Sequence, residues 1–471
     1  MKLGVDVGTT LTKAVLFGAS GEVLARHAAP TGRVRSTAGH YEIDVEGLVD
    51  ATLQLVRRFA GGEIELIALT GQGDGLWLVD DAARSLRPAL AWLDARGAPV
   101  CDAWERDGVV AEVFARTRNA PFPGAGGALL RVLDESEPES LDAARTATQC
   151  QHVLFERLTG VRTGTASCAM LPVFDPVVGD YDQPALELTQ LSGRRDLLPP
   201  ISPTPVCTAP LRDELADALG LARGVAVATG PYDLPAAAFG VGPLAPGDGV
   251  LILGTTLACQ VLVDRLTATE EPVGLTLCTA DGAGWLRAMP AMVGTACLDW
   301  VLRLVGSEAT QLGRLLAESP AGARGVSALP FFAPSGERAP FIDHAARAEL
   351  TGLHLETSAA DIVRAVCEAL GYSARHCFDA ARLQGEVVVC GGGAASRELV
   401  LLLADILERP LILAGDDEPA ARGAVIAADG SPTGALSRER IEPRREYPWA
   451  EGYANYLFRL EVARQHRWHE L

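Results

Sequence analysis

The stretch Leu3-Gly-Val-Asp-Val-Gly-Thr-Thr-Leu-Thr-Lys-Ala-Val-Leu-Phe17 decides the architecture. Two apolar, strand-like runs flank a turn carrying Asp6, Gly8, Thr9, Thr10 and Lys13, which reads as a β-hairpin with a chemically equipped tip. Gly8 can take a positive φ and let backbone N–H groups face a ligand, while Thr9, Thr10 and Lys13 supply donors of the kind a phosphate accepts. Asp6 is placed to reach a hydrated divalent cation. An ordinary hairpin with Gly-Thr-Thr as turn chemistry has the same local pattern. A second copy argues for more: Val250-Leu-Ile-Leu-Gly-Thr-Thr-Leu-Ala-Cys-Gln-Val-Leu-Val263 repeats the apolar run, the Gly254-Thr255-Thr256 tip and the returning strand. Ile252 and Cys259 stand where the first copy has Asp6 and Lys13, so only one hairpin is charged. Two phosphate loops facing each other across a cleft would produce that asymmetry.

At roughly 150 residues per domain, a chain of 471 residues makes two or three units. The spacing of the hairpins favours two. A composition of 48% hydrophobic and 21% charged residues is that of a globular protein. Apolar runs stop short of the roughly 18 residues a spanning helix needs, and Asp6 interrupts the N-terminus where a secretory segment stays apolar. A cytoplasmic location is the expectation. Ten cysteines between Cys101 and Cys390 include no Cys-x-x-Cys pair, which excludes a zinc ribbon and leaves most of them as small buried hydrophobes. A net charge of −19 argues against nucleic acid and anionic membrane as partners. A phosphate-bearing ligand must then be small and held locally.

Further along, Asp44 caps a helix that places Leu48, Val49, Thr52, Val56 and Phe59 on one face. Ile64–Leu69 reads as a strand running into a turn where glycines surround Gln72 and Asp74 and bring backbone close to something. With Gly73, this turn presents a carboxylate to hydroxyl groups; an Asx-type turn between two strands is the alternative. Trp92, Asp94 and Arg96 follow, the last two equally readable as an internal ion pair. After a strand at Val225–Thr229, Asp233 stands at the mouth of an alanine-rich helix, as a helix cap or, given the phosphate hairpin just downstream, as a functional acid. Pro330–Asp343 is a loop with a buried-looking Gly336-Glu-Arg338, and Ser358 with Asp361 forms a capping box for a long helix toward Gly385. Glu386–Ser396 is a buried strand, three glycines and a helix start, suited to backbone passing over a flat group such as adenine, or to a plain tight turn. The tail reads as a terminal helix ending in His466, Trp468 and His469 at the surface.

Taken together these stretches resemble the FGGY carbohydrate kinases, within the actin-like and hexokinase-like ATPases. Asp6-x-Gly-Thr-Thr-x-x-x-Lys13 is similar to the family's first phosphate motif, Gly254-Thr255-Thr256 to the second, and Gly391-Gly392-Gly393 with Ser396 to its adenosine motif. Gly336–Leu353 is similar to its C-terminal signature. The resemblance implies an α/β fold of two duplicated RNase-H-like domains around a central cleft, residues 1–242 holding sugar and 243–471 holding nucleotide. It implies ATP and Mg2+, with Gly8, Thr9, Thr10, Lys13, Gly254, Thr255, Thr256, Gly392, Gly393 and Ser396 toward the nucleotide. Asp233 is then the general base, and Asp6 and Asp233 face the magnesium. Gln72, Gly73, Asp74, Trp92, Asp94, Arg96 and Asp233 would hold the substrate. Gly73-Asp74 with Trp92-x-Asp94-x-Arg96 looks closest to the L-xylulose and polyol kinases, whereas Val132 and Leu234 depart from the usual residues of relatives. The expected reaction is ATP-dependent phosphorylation of a small sugar or polyol, a pentulose first and an erythritol- or glycerol-type polyol second. A third expectation, from another class, is an ATP-driven conformational switch. Assembly into a homodimer is left open.

Overall fold

The computed structural model describes residues 1–37, 39–266, 271–415, 418–430, 436–445, 447–466 and 468, of which 33–37 are described in the backbone only. Each half of the chain is built on a mixed sheet. In the first, β1 (Lys2–Val7), β2 (Leu11–Phe17) and β3 (Val23–Pro30) form an antiparallel meander. On the other side of β1, β4 (Leu66–Gly71) and β6 (Ala226–Thr229) run parallel to it, and β5 (Cys207–Pro210) closes the edge. In the second sheet, β7 (Gly249–Leu253), β8 (Leu257–Val263) and β10 (Trp285–Ala291) form the meander, with β9 (Leu275–Cys278) outside it. Then β11 (Val387–Cys390) and β12 (Leu411–Ala414) run parallel to β7, and β13 (Arg438–Ile441) ends the sheet. The order β3-β2-β1-β4-β6 is thus repeated as β10-β8-β7-β11-β12.

Central strands covered on both faces must be apolar throughout, and β4 is buried at all six positions. The strand starts at Leu66, not Ile64, and continues to Gly71, because it pairs in parallel with β1 from Lys2–Leu66 to Val7–Gly71. Helix α1 (Val45–Arg57) forms at the expected start: Asp44 accepts the Gly47 N–H at 3.0 Å, and Leu48, Val49, Thr52 and Val56 are buried, while Phe59, also expected on this helix, is buried just beyond its end.

Helices α2 (Val109–Thr117) and α3 (Cys150–Thr159) belong to the first half, and α4 (Asp233–Gly240) leaves it after β6. In the second half, α5 (Ala359–Ala381) starts at the Ser358–Asp361 capping box and ends on a left-handed Arg382, short of Gly385. Then follow α6 (Arg397–Leu407), α7 (Pro419–Asp429) and α8 (Trp449–His466). Helices α4 and α7 cross with their backbones touching. A Cβ on Gly240 would overlap the carbonyl of Pro419, and one on Gly423 would overlap the carbonyl of Ala236. Helix α7 also lies on the first sheet, its Ala421, Ala424 and Val425 packing with Val15, Phe17 and Ala228. The halves are therefore joined by exchanged helices, not by a linker.

One expectation for the tail is corrected. Trp468 is 5% exposed, its ring stacked on Phe341 and edge-on to Phe331, because the α8 C-terminus folds back over the second core. His469 lies outside the described residues. All ten cysteines are free thiols and nine are buried. Among the described residues no helix is long and apolar enough to cross a membrane.

Candidate active site

The two hairpin tips lie at corresponding ends of the duplicated sheets. Both are tight turns, with the Gly8 N–H donating to the Leu11 carbonyl at 3.1 Å and the Gly254 N–H to the Thr256 carbonyl at 3.1 Å. This corrects the reading of Gly8: its backbone is not at positive φ, and its own N–H is committed to the turn. The second tip is fastened from behind, since Thr295 donates both its N–H (2.8 Å) and its hydroxyl (3.0 Å) to the Gly254 carbonyl. Gly294 lets that segment approach, because a Cβ there would overlap Thr256.

Beside the first tip, the turn after β4 builds a polar pocket. Asp74 is 8% exposed and adopts φ +58°, a left-handed backbone that a short polar side chain tolerates. Gly73 lies under the ring of Tyr232, where any Cβ would collide. Trp92 donates its indole N–H to Thr9 Oγ1 at 2.9 Å, tying the pocket to the hairpin, and Gly124 admits the Trp92 carbonyl at a distance no side chain would allow. Asp233 is the first residue of α4, and Tyr232, not Asp233, occupies the cap position; no side-chain hydrogen bond caps this helix. Its carboxyl is therefore not used up by helix capping.

From the second half, Arg338 enters this pocket. Its guanidinium lies 4.5 Å from the Trp92 ring and 4.5 Å from the Phe122 ring, and its Nε donates to the Pro290 carbonyl at 2.7 Å. Glu337, 3% exposed, sets the loop by accepting the N–H groups of Met292 and Arg338, each at 2.8 Å. Burial drives the Asp233 carboxyl up to about 8, and the neighbouring Asp6 and Asp74 push the same way while the Leu234 N–H and Arg338 oppose. Burial also raises Asp74 to about 6, against the pull of Arg338. Asp6 rises to about 6 through burial, with Lys13 opposing and Glu418 adding to the rise. Three carboxyls held above their usual range in one cleft are the pattern of a working site.

Several buried polar atoms around the pocket have no partner among the described residues: both amide atoms of Gln72 and of Gln149, Gln151 Nε2, Ser167 Oγ, Tyr232 OH and Asp6 Oδ1. Buried polar groups are satisfied in folded proteins almost without exception. A hydroxyl-rich ligand supplies such partners.

On the far side of the first hairpin, a cavity of about 680 Å³ is lined by Lys13, Arg26, Gly391, Gly392, Ala394, Ala395, Glu418 and Ser437, among others. Lys13 Nζ lies 2.8 Å from Glu418, which also faces Arg26 at 3.7 Å. Gly391 takes φ +92°, and nothing lies within 4 Å of a Cβ on Gly392, so the strand–turn leaves an open, flat floor. These residues fit a purine nucleoside. Ser396 sits one step away from that floor as the cap of α6, its hydroxyl accepting the Leu399 N–H at 3.3 Å. For magnesium, Asp6 offers the orphaned oxygen Oδ1 within the influence of Asp233, hard donors of the type this ion takes alongside phosphate oxygens. No group of three or more His, Cys, Asp or Glu is placed to hold a metal among the described residues.

The structure thus brings Asp6, Thr9, Gln72, Gly73, Asp74, Trp92 and Asp233 together. It does not do so for Asp94 and Arg96. Asp94 is 1% exposed and is consumed by Arg96 (2.7 Å) and the Tyr41 N–H (2.9 Å), while Arg96 also pairs with Glu42 at 2.9 Å. Their charged groups are engaged in this network with each other, Glu42 and Tyr41. Sequence reasoning missed Arg338, Tyr232, Phe122, Gln149 and Gln151. Tyr232 adjoins Asp233 and Arg338 stood in a loop already singled out, so both had a signal; the glutamines at the start of α3 had none.

The profile of the N-terminal domain of the FGGY family of carbohydrate kinases matches residues 1–240, and that of its C-terminal domain residues 250–429. The chain is 29% identical over 463 residues to an erythritol kinase of Brucella abortus (strain 2308), covering 90% of this chain and 86% of that one. It is 29% identical over 485 residues to a xylulose kinase of Escherichia coli (strain K12), covering 99% and 98%. The structure superposes with a TM-score of 0.90 on a ligand-bound xylulose kinase of Lactobacillus acidophilus at 20% identity, covering 100% of this chain and 99% of that one, a likeness of fold.

Proposed function

The chain belongs to the FGGY family of carbohydrate kinases, with the actin- and hexokinase-like ATPase fold, and we propose on that basis that it transfers a phosphoryl group from ATP to a hydroxyl of an uncharged ketopentose of the xylulose type. The observation that carries the reading is the carboxyl of Asp233 at the head of α4, raised to about 8, uncapped, and flanked by Asp74 and the Arg338 guanidinium. Asp233 takes the proton of the attacking hydroxyl. Asp74 accepts hydrogen bonds from two adjacent hydroxyls, and Arg338 donates to an oxygen on the same face. Trp92 lies along the carbon skeleton and, through Thr9, fixes that skeleton against the first phosphate hairpin. The hydroxyls of Thr9, Thr10, Thr255 and Thr256 and the charge of Lys13 face the phosphates, while Gly391–Gly393 floor the adenosine. Magnesium, held by Asp6 and Asp233, would neutralise charge on the transferring group. Phosphoryl transfer asks chiefly for such alignment and neutralisation.

The charge of the pocket supports a neutral substrate. Asp74 and Asp233 feel the Arg338 guanidinium, and Asp6 feels Lys13, whose charge is shared with Glu418, so the three carboxyls outnumber the positive groups that act on them. An aldonate would add a further negative charge there. A second reading, a tetritol such as erythritol, is favoured by the relative from Brucella abortus. The test is ADP release over ketopentoses, pentitols, tetritols, glycerol and an aldonate, with wild type and Asp233→Asn. A neutral ketopentose or tetritol should stimulate release, and Asp233→Asn should abolish it while leaving sugar and nucleotide affinity within about tenfold. Preference for the aldonate, or near-normal turnover in the variant, would sink the assignment.

A further inference from the structure

A small cavity of about 40 Å³, away from the cleft, is lined by Arg118, Arg265, Arg287 and Arg382 together with Thr276. The chain carries 60 acidic side chains against 41 lysines and arginines, so a buried arginine with no carboxylate partner among the described residues calls for a reason. Arg287, on β10, is 8% exposed and is held by neutral acceptors alone. Its Nη1 donates to Thr276 Oγ1 at 2.9 Å and to the Arg118 carbonyl at 3.3 Å, and Nη2 to the Val273 carbonyl at 2.8 Å. Its Nε is buried without a partner among the described residues. The Phe114 ring covers the guanidinium at 5.8 Å. Among the described residues no carboxylate lies within ion-pair distance of Arg118, Arg265 or Arg287, whereas the nearby Arg116 pairs with Asp182 at 2.6 Å. A buried charge normally requires a counter-charge. Burial, with Arg382 and Arg118 close by, lowers the Arg287 guanidinium to about 10.

The cavity also straddles the seam between the halves. Arg118 ends α2 of the first half, and next to it Asn119 Oδ1 accepts the Thr276 N–H at 2.8 Å, Thr276 donates its hydroxyl to the Arg118 carbonyl at 3.0 Å, and the Ala120 N–H donates to the Gly274 carbonyl at 3.0 Å. Arg265, Arg287 and Arg382 come from the second half. We propose that this arginine-lined cavity is a phosphate-binding site that bridges the two halves of the enzyme and is distinct from the phosphate hairpins. Planar guanidinium forks match the oxygens of a phosphate group. About 40 Å³ accommodates a few water-sized groups, one water needing about 10–15 Å³. That suffices for one tetrahedral anion but not for a nucleotide. The occupant is inorganic phosphate or the phosphate end of a phosphorylated small metabolite, and holding both halves at once would couple its binding to their relative position.

The experiment uses the full chain with its cleft saturated by ADP and magnesium, so that the hairpins cannot supply the response. Melting temperature is followed as inorganic phosphate or ribose 5-phosphate replaces chloride at constant ionic strength. Saturable stabilisation is expected. The double variant Arg118→Asn/Arg265→Gln keeps a residue tolerant of the left-handed backbone at 118 and leaves the buried Arg287 in place. It should need at least about tenfold more phosphate for half the effect, with ADP affinity unchanged. Tighter binding of ribose 5-phosphate than of inorganic phosphate would assign a metabolite; equal binding would assign the free ion. Absence of a saturable response to either anion, or a response that the double variant retains in full, overturns the site.

Discussion

Asp74 holds a backbone conformation that costs most side chains energy, between two glycines whose missing side chains admit the Tyr232 ring and the Leu90 carbonyl. On the proposed reading a carboxylate so buried, with Arg338 acting on it from across the cleft, would contribute to sugar binding through charged hydrogen bonds of about 1.5–3 kcal/mol. Asp74→Ala should therefore raise the sugar KM by about ten- to a hundredfold and leave the ATP KM nearly unchanged. If Asp74 only closed its turn, the melting temperature would fall while neither KM moved. Arg338 acts on Asp233 in the opposite sense to burial, since its positive charge favours the ionised carboxylate. The base works only when deprotonated, so kcat/KM rises with pH along an acid limb set by Asp233 in the free enzyme. Removing the guanidinium raises the Asp233 value further. In Arg338→Met the acid limb should move to higher pH by about half a unit or more, with the greatest loss of rate below pH 7. A limb that stays in place would put Arg338 outside the field of the base.

Between the pocket and the nucleotide cavity stands the crossing of α4 and α7. Helix α4 begins with Asp233, and α7 begins directly after Glu418, the partner of Lys13. The two backbones meet because Gly240 and Gly423 have no side chains, so a single pair of small residues sets the distance between catalytic acid and phosphate-side lysine. In Gly423→Val the new side chain would press on the Ala236 carbonyl, which is backbone and cannot rotate away. Overpacking of this kind costs about 1–3 kcal/mol. A lower melting temperature together with reduced kcat is expected, against no change in either for Gly193→Ala, whose Cβ would meet nothing within 4 Å. Loss of stability with kcat intact would show that the crossing supports the fold but not the site.

The whole molecule is two repeats of one sheet with a shared pocket, and its lips already touch. Arg338 of the second half lies against Trp92 and Phe122 of the first, and His344 Nδ1 lies 2.9 Å from Asp102. Asp74 is 8% exposed; on the proposed reading sugar reaches it when these contacts part, and the free enzyme is then expected to open and the loaded one to close. Closure then excludes water from the transfer step. Small-angle scattering should show a smaller radius of gyration with saturating sugar and a non-hydrolysable ATP analogue than without ligands. An unchanged radius would argue against a large closure.

The duplicated hairpins, the capped helix at Asp44, the capping box at Ser358 and the glycine turn after β11 were legible in the chain, because each is a local pattern whose physics acts within a few residues. So was the carboxylate set Asp6, Asp74 and Asp233, since each sits at the end of a strand or the start of a helix that periodicity defines. The fate of Asp94 and Arg96 was not, because an ion pair and a ligand contact use the same residue types, and only the packing of Glu42 and Tyr41 against them selects the first. Nor was the entry of Arg338, which depends on how the second half docks onto Trp92 and Phe122. The arginine cavity at Arg287 joins positions 118, 265, 287 and 382, and no sequence spacing relates them. Local order follows from neighbouring residues, whereas charge balance inside a cleft is set by residues that meet only when two sheets and their exchanged helices have packed.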